Sequence, residues 1–159
     1  HAATLTALDG GCRRRQQERG RLGSGIVDYI QLMIPEGQQR SAESEMAALS
    51  RGLKRLAKKF DVPVLALSQL NRAPEGRADK RPHPSDLRGS GALEQDADLV
   101  ILLHRPEMYK PTDENAGIAE IIVAKNRNGP TGCVRMAFNK NLAMFQDLAF
   151  QSERQYEER

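Results

Sequence analysis

The stretch Ile26-Val27-Asp28-Tyr29-Ile30-Gln31-Leu32-Met33 is an apolar run with one acid set into it. Near-continuous hydrophobicity of this kind reads as a strand buried on both faces of an α/β sheet. A lone carboxylate inside such a strand is costly unless it is paired or bound to a metal. An Asp at the carboxyl end of a parallel strand lies where open α/β sheets bind nucleotides. Acids at strand ends also serve as helix caps, turn formers and salt-bridge partners, so the run alone leaves the role of Asp28 open.

At 159 residues the chain is at most one domain, with room for a sizeable core. Trp is absent and aromatics make up 4%, so Leu, Ile, Val, Ala and Met must build that core. A net charge of +3 with both signs mixed suits a polyanion-binding protein without demanding one. Cys12 and Cys133 are far apart and lack CxxC or His-rich company. A zinc site is therefore not expected, and with no signal peptide evident the two cysteines read as reduced cytosolic thiols. No apolar run approaches the ~18 residues that a membrane span needs. A first residue of His rather than Met suggests a piece of something longer.

Residues 4–22 have helical spacing in Leu5, Leu8 and Cys12, but Gly10-Gly11 is expected to interrupt them. Each Gly costs about 1 kcal/mol relative to Ala inside a helix. The cluster Arg13, Arg14, Arg15, Arg19 and Arg21 reads as a solvated helix face, with a phosphate-binding patch as the other reading. Strand one follows over 26–33. A helix opens at Ser41 or Ala42, with Met46, Leu49, Leu53, Leu56 and Phe60 at spacings of three and four. Its cations Arg51, Lys54, Arg55, Lys58 and Lys59 read as a solvated face, and the basic last turn complements the helix dipole. Asp61-Val62-Pro63 stops it, and 64–69 is a second buried strand, giving a βαβ unit. Residues 71–85 read as a long exposed loop, 86–98 as a turn and short helix, and 99–103 as a third apolar strand. An antiparallel hairpin is expected over 118–126 and 133–138, turning at Asn128-Gly129-Pro130, with a further short strand within 141–147.

Four segments stand in one order: Val27-Asp28-Tyr29-Ile30-Gln31-Leu32, Leu67-Ser68-Gln69-Leu70-Asn71-Arg72, the run from Asp86 through Arg88-Gly89-Ser90-Gly91 to Asp98, and Ala124-Lys125-Asn126-Arg127-Asn128-Gly129-Pro130-Thr131-Gly132. Together they closely resemble the bacterial replicative helicase family DnaB, over about residues 26 to 148. The resemblance implies an α/β fold, a partial RecA-like P-loop NTPase core. Its sheet would be mostly parallel, flanked by helices, and would end in an antiparallel hairpin. It divides the chain into a degenerate helical lead-in (1–24), the partial ATPase domain from Walker B onward (25–148) and a charged, frayed tail (149–159). It further implies a cytoplasmic protein that binds ATP and Mg²⁺, encircles single-stranded DNA as a homo-hexamer and works with primase and a loader.

Carried over residue by residue, Asp28 takes the Walker B position, where an acid supports Mg²⁺ while the cation clamps the β and γ phosphate oxygens. Gln69 takes the position that senses the γ-phosphate. A neutral amide can bond a phosphate oxygen or water and swing away without stranding a charge. Arg72 is close enough in sequence to touch phosphate or a neighbouring subunit, or is a plain loop arginine. Lys125 and Arg127 leave one face of a strand. By resemblance they reach across the subunit interface as a lysine and an arginine finger; ordinary hairpins carry such pairs for solubility. Arg88, Gly89 and Gly91 resemble the DNA loop of the central channel, where cations and close backbone approach grip phosphates without reading bases. The alternative for this loop is a helix-opening turn with Arg88 solvated.

The chain also departs from the family. No GxxxxGK[ST] occurs in it, so this chain alone is not expected to hydrolyse ATP. Without the P-loop strand, an apolar sheet face and an open edge are expected to be exposed. Gly89 stands where the family usually has Glu, removing a carboxylate that would orient Arg88. Gly10-Gly11, Arg15 and Ser24-Gly25 make the first 25 residues atypical. Two other functions compete with a part of the helicase motor: a non-catalytic helicase remnant or interaction module, and a RecA-like recombination or repair ATPase. The latter would not be expected to carry Lys125-Asn126-Arg127-Asn128-Gly129-Pro130.

Overall fold

A computed structural model describes residues 3–37, 41–87 and 89–148. The expected tail at 149–159 lies outside them. Helix α1 (Leu5–Arg19) leads into a short strand β1 (Gly25–Val27), the long helix α2 (Ala42–Phe60) and strand β2 (Val64–Ala66). A single turn α3 (Ala73–Gly76) and helix α4 (Ser90–Asp96) precede strands β3 (Leu99–His104), β4 (Ile118–Asn126), β5 (Gly132–Asn139) and β6 (Met144–Gln146).

Helix α2 forms where its apolar spacing predicts. Ser41 caps it by accepting from the Ser44 N–H, and Ser44 Oγ accepts in return from the Ser41 N–H. Met46, Leu49, Leu53 and Phe60 are buried, and Asp61 ends the helix in the left-handed region at φ 51°. Its cations are not all solvated, because Lys54 pairs with Asp98 and Lys59 with Asp9.

Helix α1 runs unbroken through Gly10-Gly11, contrary to the expected interruption. Tertiary and capping contacts offset the glycine penalty. The Thr4 hydroxyl caps it, Asp9 bonds Arg13 and Lys59, and Leu5 and Leu8 pack on the first core cluster. Gly52 makes that docking possible, since a Cβ there would stand 2.2 Å from Leu5 Cδ1.

The first strand is shorter than the run 26–33. It leaves the sheet at Asp28, passes a cis Asp28–Tyr29 peptide and becomes a 3₁₀ turn over Ile30–Leu32. Leu67 brackets this bend, donating to the Val27 carbonyl and accepting from the Ile30 N–H, both at 2.9 Å. Ile30 thereby reaches the centre of the core, wholly buried, with Met33, Met46, Leu49 and Leu53.

Strands β1 and β2 pair in parallel, Gly25 opposite Val64 and Val27 opposite Ala66, across the α2 crossover. The other four strands make a separate antiparallel sheet in the order β3-β4-β5-β6. The α/β class holds, but parallel pairing within the described residues is confined to β1 and β2, because no ladder joins β2 to β3. The expected burial of 64–69 fails for the same reason: Leu65 and Leu67 are exposed. Along β3, Val100, Leu102 and His104 are buried while Leu99, Ile101 and Leu103 face outward, so the anticipated apolar face is present. The hairpin forms as expected and β6 adds to its edge.

Residues 71–85 are not a plain exposed loop. Pro74 and Pro82 are buried, and two ion pairs pin the segment. Arg77 binds the buried Asp86 carboxylate, and Arg81 forks onto Glu120 of β4 with two contacts of 2.7 Å. No described helix is long and apolar enough to cross a membrane.

Candidate functional site

Asp28 and Gln69 end up at the carboxyl ends of adjacent parallel strands. Both side chains are exposed, and among the described residues nothing pairs with the Asp28 carboxylate. Its position follows from the Leu67 bracket, which lets β1 end at Val27 and turn the next residue out of the ladder. Gln69 is held through its backbone, whose N–H donates to Gln31 Oε1 at 3.3 Å, while Gln31 Nε2 donates to Ser68 Oγ at 3.0 Å. Gln69 lines a cleft of about 740 Å³ that Asn71, Arg72, Leu103 and Arg105 also line. Arg72 and Arg105 give this cleft positive charge beside the Gln69 and Asn71 amides, which suits an anionic ligand, and Asp28 is not among its lining residues.

Lys125 lies on β4 and Arg127 just beyond it, and the structure brings both to the carboxyl end of α4. Lys125 Nζ donates to the carbonyls of Glu94 and Gln95, the latter at 3.1 Å. Arg127 Nη2 donates to the Gln95 carbonyl at 2.7 Å, and Nη1 to Asp98 Oδ1 at 3.3 Å. The hydrogen bond from Lys54 holds the Asp98 carboxyl below its usual value, against the opposing effect of burial, with the charges of Lys54, Arg127 and Lys125 assisting. Asn126 shapes the turn that follows, accepting from the Asn128 N–H at 3.1 Å and donating to the Pro130 carbonyl at 3.2 Å.

At the other end of α4, Gly89 is its N-cap, in the left-handed region at φ 77°. A Cβ at 89 would approach Met46 Cβ to 2.9 Å, so the residue answers a backbone and packing need besides lacking a carboxylate. Gly91 is exposed with open space around it. Arg88 lies outside the described residues.

Nearly the whole described chain matches one protein family. The family described as the DnaB-like helicase C terminal domain matches residues 1–147. This chain belongs to that family. It is 51% identical over 150 residues to the replicative DNA helicase DnaB of Pasteurella multocida, covering 94% of this chain and 32% of that protein. To the DnaB of Geobacillus stearothermophilus it is 48% identical over 148 residues, covering 92% of this chain and 32% of the relative. The chain thus spans about a third of the length of these curated relatives. Among solved structures, a DnaB-like replicative helicase described with its interactions with primase superposes with a TM-score of 0.87 at 39% identity, over 93% of this chain and 36% of that one. A second solved structure, described as an ATPase domain, matches equally well, with TM-score 0.87 and 39% identity, over 93% and 52% of the two chains.

Two residues of this DnaB-like domain escaped the sequence reading. Gln31 sits inside the first recognised segment but reads there as one more strand residue; only the pairing of β1 with β2 shows that its amide reaches Ser68 and Gln69. Asp98 reads as the end of a turn-helix segment. A signal for it existed in the hairpin cations, which need acceptors, but the antiparallel pairing of β3 with β4 that supplies Asp98 was not expected.

Proposed function

We propose that this chain is the carboxyl-terminal part of the ATP-driven motor of a replicative DNA helicase, which translocates on single-stranded DNA and unwinds duplex at the fork. The observation that carries the reading is the joint placement of Asp28 and Gln69 at neighbouring strand ends, with Gln69 also lining an open cleft. Asp28 would hold Mg²⁺, by way of water. When bound, the cation supplies positive charge at the β and γ phosphate oxygens. An exposed, unpaired carboxylate fits that task. Among the described residues no three metal-binding side chains converge, so Asp28 would need phosphate and water to complete the set. Gln69 reports on the γ-phosphate, and Arg127 with Lys125 reaches the nucleotide of a neighbouring subunit in a homo-hexamer. Arg88, Gly89 and Gly91 grip the DNA backbone. Primase and a loader are the expected cytoplasmic partners, and the structural relative described with primase supports the first.

One observation favours a second reading. The 159 residues contain no GxxxxGK[ST], which would suit a non-catalytic helicase remnant or interaction module. The Lys125-to-Pro130 segment argues against a recombination or repair ATPase.

The test is made in the full-length protein. Arg127→Ala should nearly abolish ATP hydrolysis, by about 10³-fold or more, while nucleotide binding persists, because a finger acts on charge that develops in the transition state. Mixing these subunits with P-loop-dead subunits should restore activity at mixed interfaces. A mixture as inactive as either parent, under conditions where subunits exchange, would show that Arg127 does not act in trans.

A further inference from the structure

Asp98 makes two kinds of contact with Arg127. Its backbone carbonyl accepts from the Arg127 N–H at 2.9 Å, and its Oδ1 accepts from Arg127 Nη1 at 3.3 Å. The pairing of β3 with β4, in which Leu99 opposes Asn126, places the two residues across from each other just past the ladder's end. The other carboxylate oxygen, Oδ2, is taken by Lys54 from α2. Asp98 therefore has one oxygen fixed by the body of the domain and one on the guanidinium.

We propose that Asp98 is the positioning residue for Arg127, with Lys54 fixing Asp98 and the Gln95 carbonyl giving the guanidinium its second anchor. The inference rests on the reading of Arg127 as a finger. A guanidinium carries five N–H donors in a rigid fork. Asp98 and Gln95 engage one on each Nη, which leaves three for an anion outside the protomer. Arg127 and Asp98 are both about half exposed, so the held group is accessible from outside. An arginine with four side-chain torsions and no anchor would have to be ordered at each turnover. Two anchors of fixed direction remove most of that freedom before the phosphate arrives. Asp98 would act through Arg127, and Lys54 one contact further back.

The experiment compares Asp98→Ala, Arg127→Ala and the double variant in the full-length protein, by steady-state ATP hydrolysis. Asp98→Ala should lower kcat about ten- to hundredfold, as a misplaced reacting group does, with KM for ATP within about twofold. Adding Asp98→Ala to Arg127→Ala should cost nothing further, because the positioned group is gone. Asp98→Asn, which keeps an acceptor oxygen toward Nη1, should recover part of the loss. In mixtures with P-loop-dead subunits, the Asp98→Ala defect should follow the subunit that donates the finger. An additive loss in the double variant, a loss confined to KM, or a silent Asp98→Ala beside an inactive Arg127→Ala would overturn the inference and leave the finger reading standing. A fully active Arg127→Ala would remove both.

Discussion

Leu70 and Leu87 pair in an isolated antiparallel bridge, and the Asn71 N–H donates to the Asp86 carbonyl at 2.7 Å beside it. Leu70 follows Gln69 and Leu87 precedes Arg88, so one bridge stitches the strand end proposed to sense nucleotide to the proposed DNA loop. Leu87 is buried with Val100 and Leu102, which anchors the bridge in the second core cluster.

Leu87→Ala and Leu102→Ala should therefore cost similar stability, about 2–4 kcal/mol each for a buried leucine. Their effects on coupling should differ. Only Leu87→Ala loosens the bridge, so only it should reduce the stimulation of ATP hydrolysis by single-stranded DNA in the full-length protein. Chemical denaturation and ATPase assays with and without DNA separate the two effects. Equal loss of stimulation in both variants would mean that the bridge carries no coupling of its own.

Gly89→Ala should destabilise the domain by about 1–2 kcal/mol, the cost of a left-handed backbone for a residue with a Cβ, plus the displacement of Met46. Gly89→Glu, which supplies the carboxylate that the family resemblance leads one to expect there, should carry the same penalty. Gly91→Ala, at an exposed glycine with open space around it, is the control. Thermal melts should show a lowered midpoint for Gly89→Ala but not for Gly91→Ala, and equal midpoints for these two variants would mean that the conformation at residue 89 is not strained.

Acid should loosen the segment between β2 and α4 through its ion pairs. The Arg81 hydrogen bonds hold the Glu120 carboxyl below its ordinary value, with burial opposing, and the Asp86 carboxyl is likewise lowered, Arg77 and the His83 N–H outweighing the cost of its burial. For groups with depressed values, the stabilisation is full above the unfolded pKa of about 4 and is lost as the pH falls through the lower folded value. Glu120→Gln should lower stability near neutrality by about 1–3 kcal/mol, since Arg81 is itself half exposed, and should flatten the acid limb. Urea midpoints between pH 7 and pH 3 would show it; an unchanged acid limb would assign the pH dependence to other carboxylates.

What could be read from the residues was whatever depended on local pattern. Ser41 and the spacing from Met46 to Phe60 defined α2, and Asn128-Gly129-Pro130 defined the hairpin. The order of the four family segments identified the fold. What stayed hidden depended on partners distant in sequence. The run 26–33 does not say that Leu67 will bend it at Asp28. Gly10-Gly11 does not say that Asp9 and Leu5 will hold the helix together. Asp98 became visible as a partner of Arg127 only once β3 lay antiparallel to β4.

Helix α4 is seven residues long, about 10 Å at 1.5 Å per residue, and it is restrained along its whole length. Gly89 abuts Met46 at one end, Lys125 and Arg127 grip the carbonyls at the other, and Leu93 packs into both core clusters between them. Gly89 and the Gln95 anchor of Arg127 thus belong to the two ends of one short helix, so the backbone at 89 and the guanidinium at 127 share a single seven-residue support that Leu93 ties to both clusters.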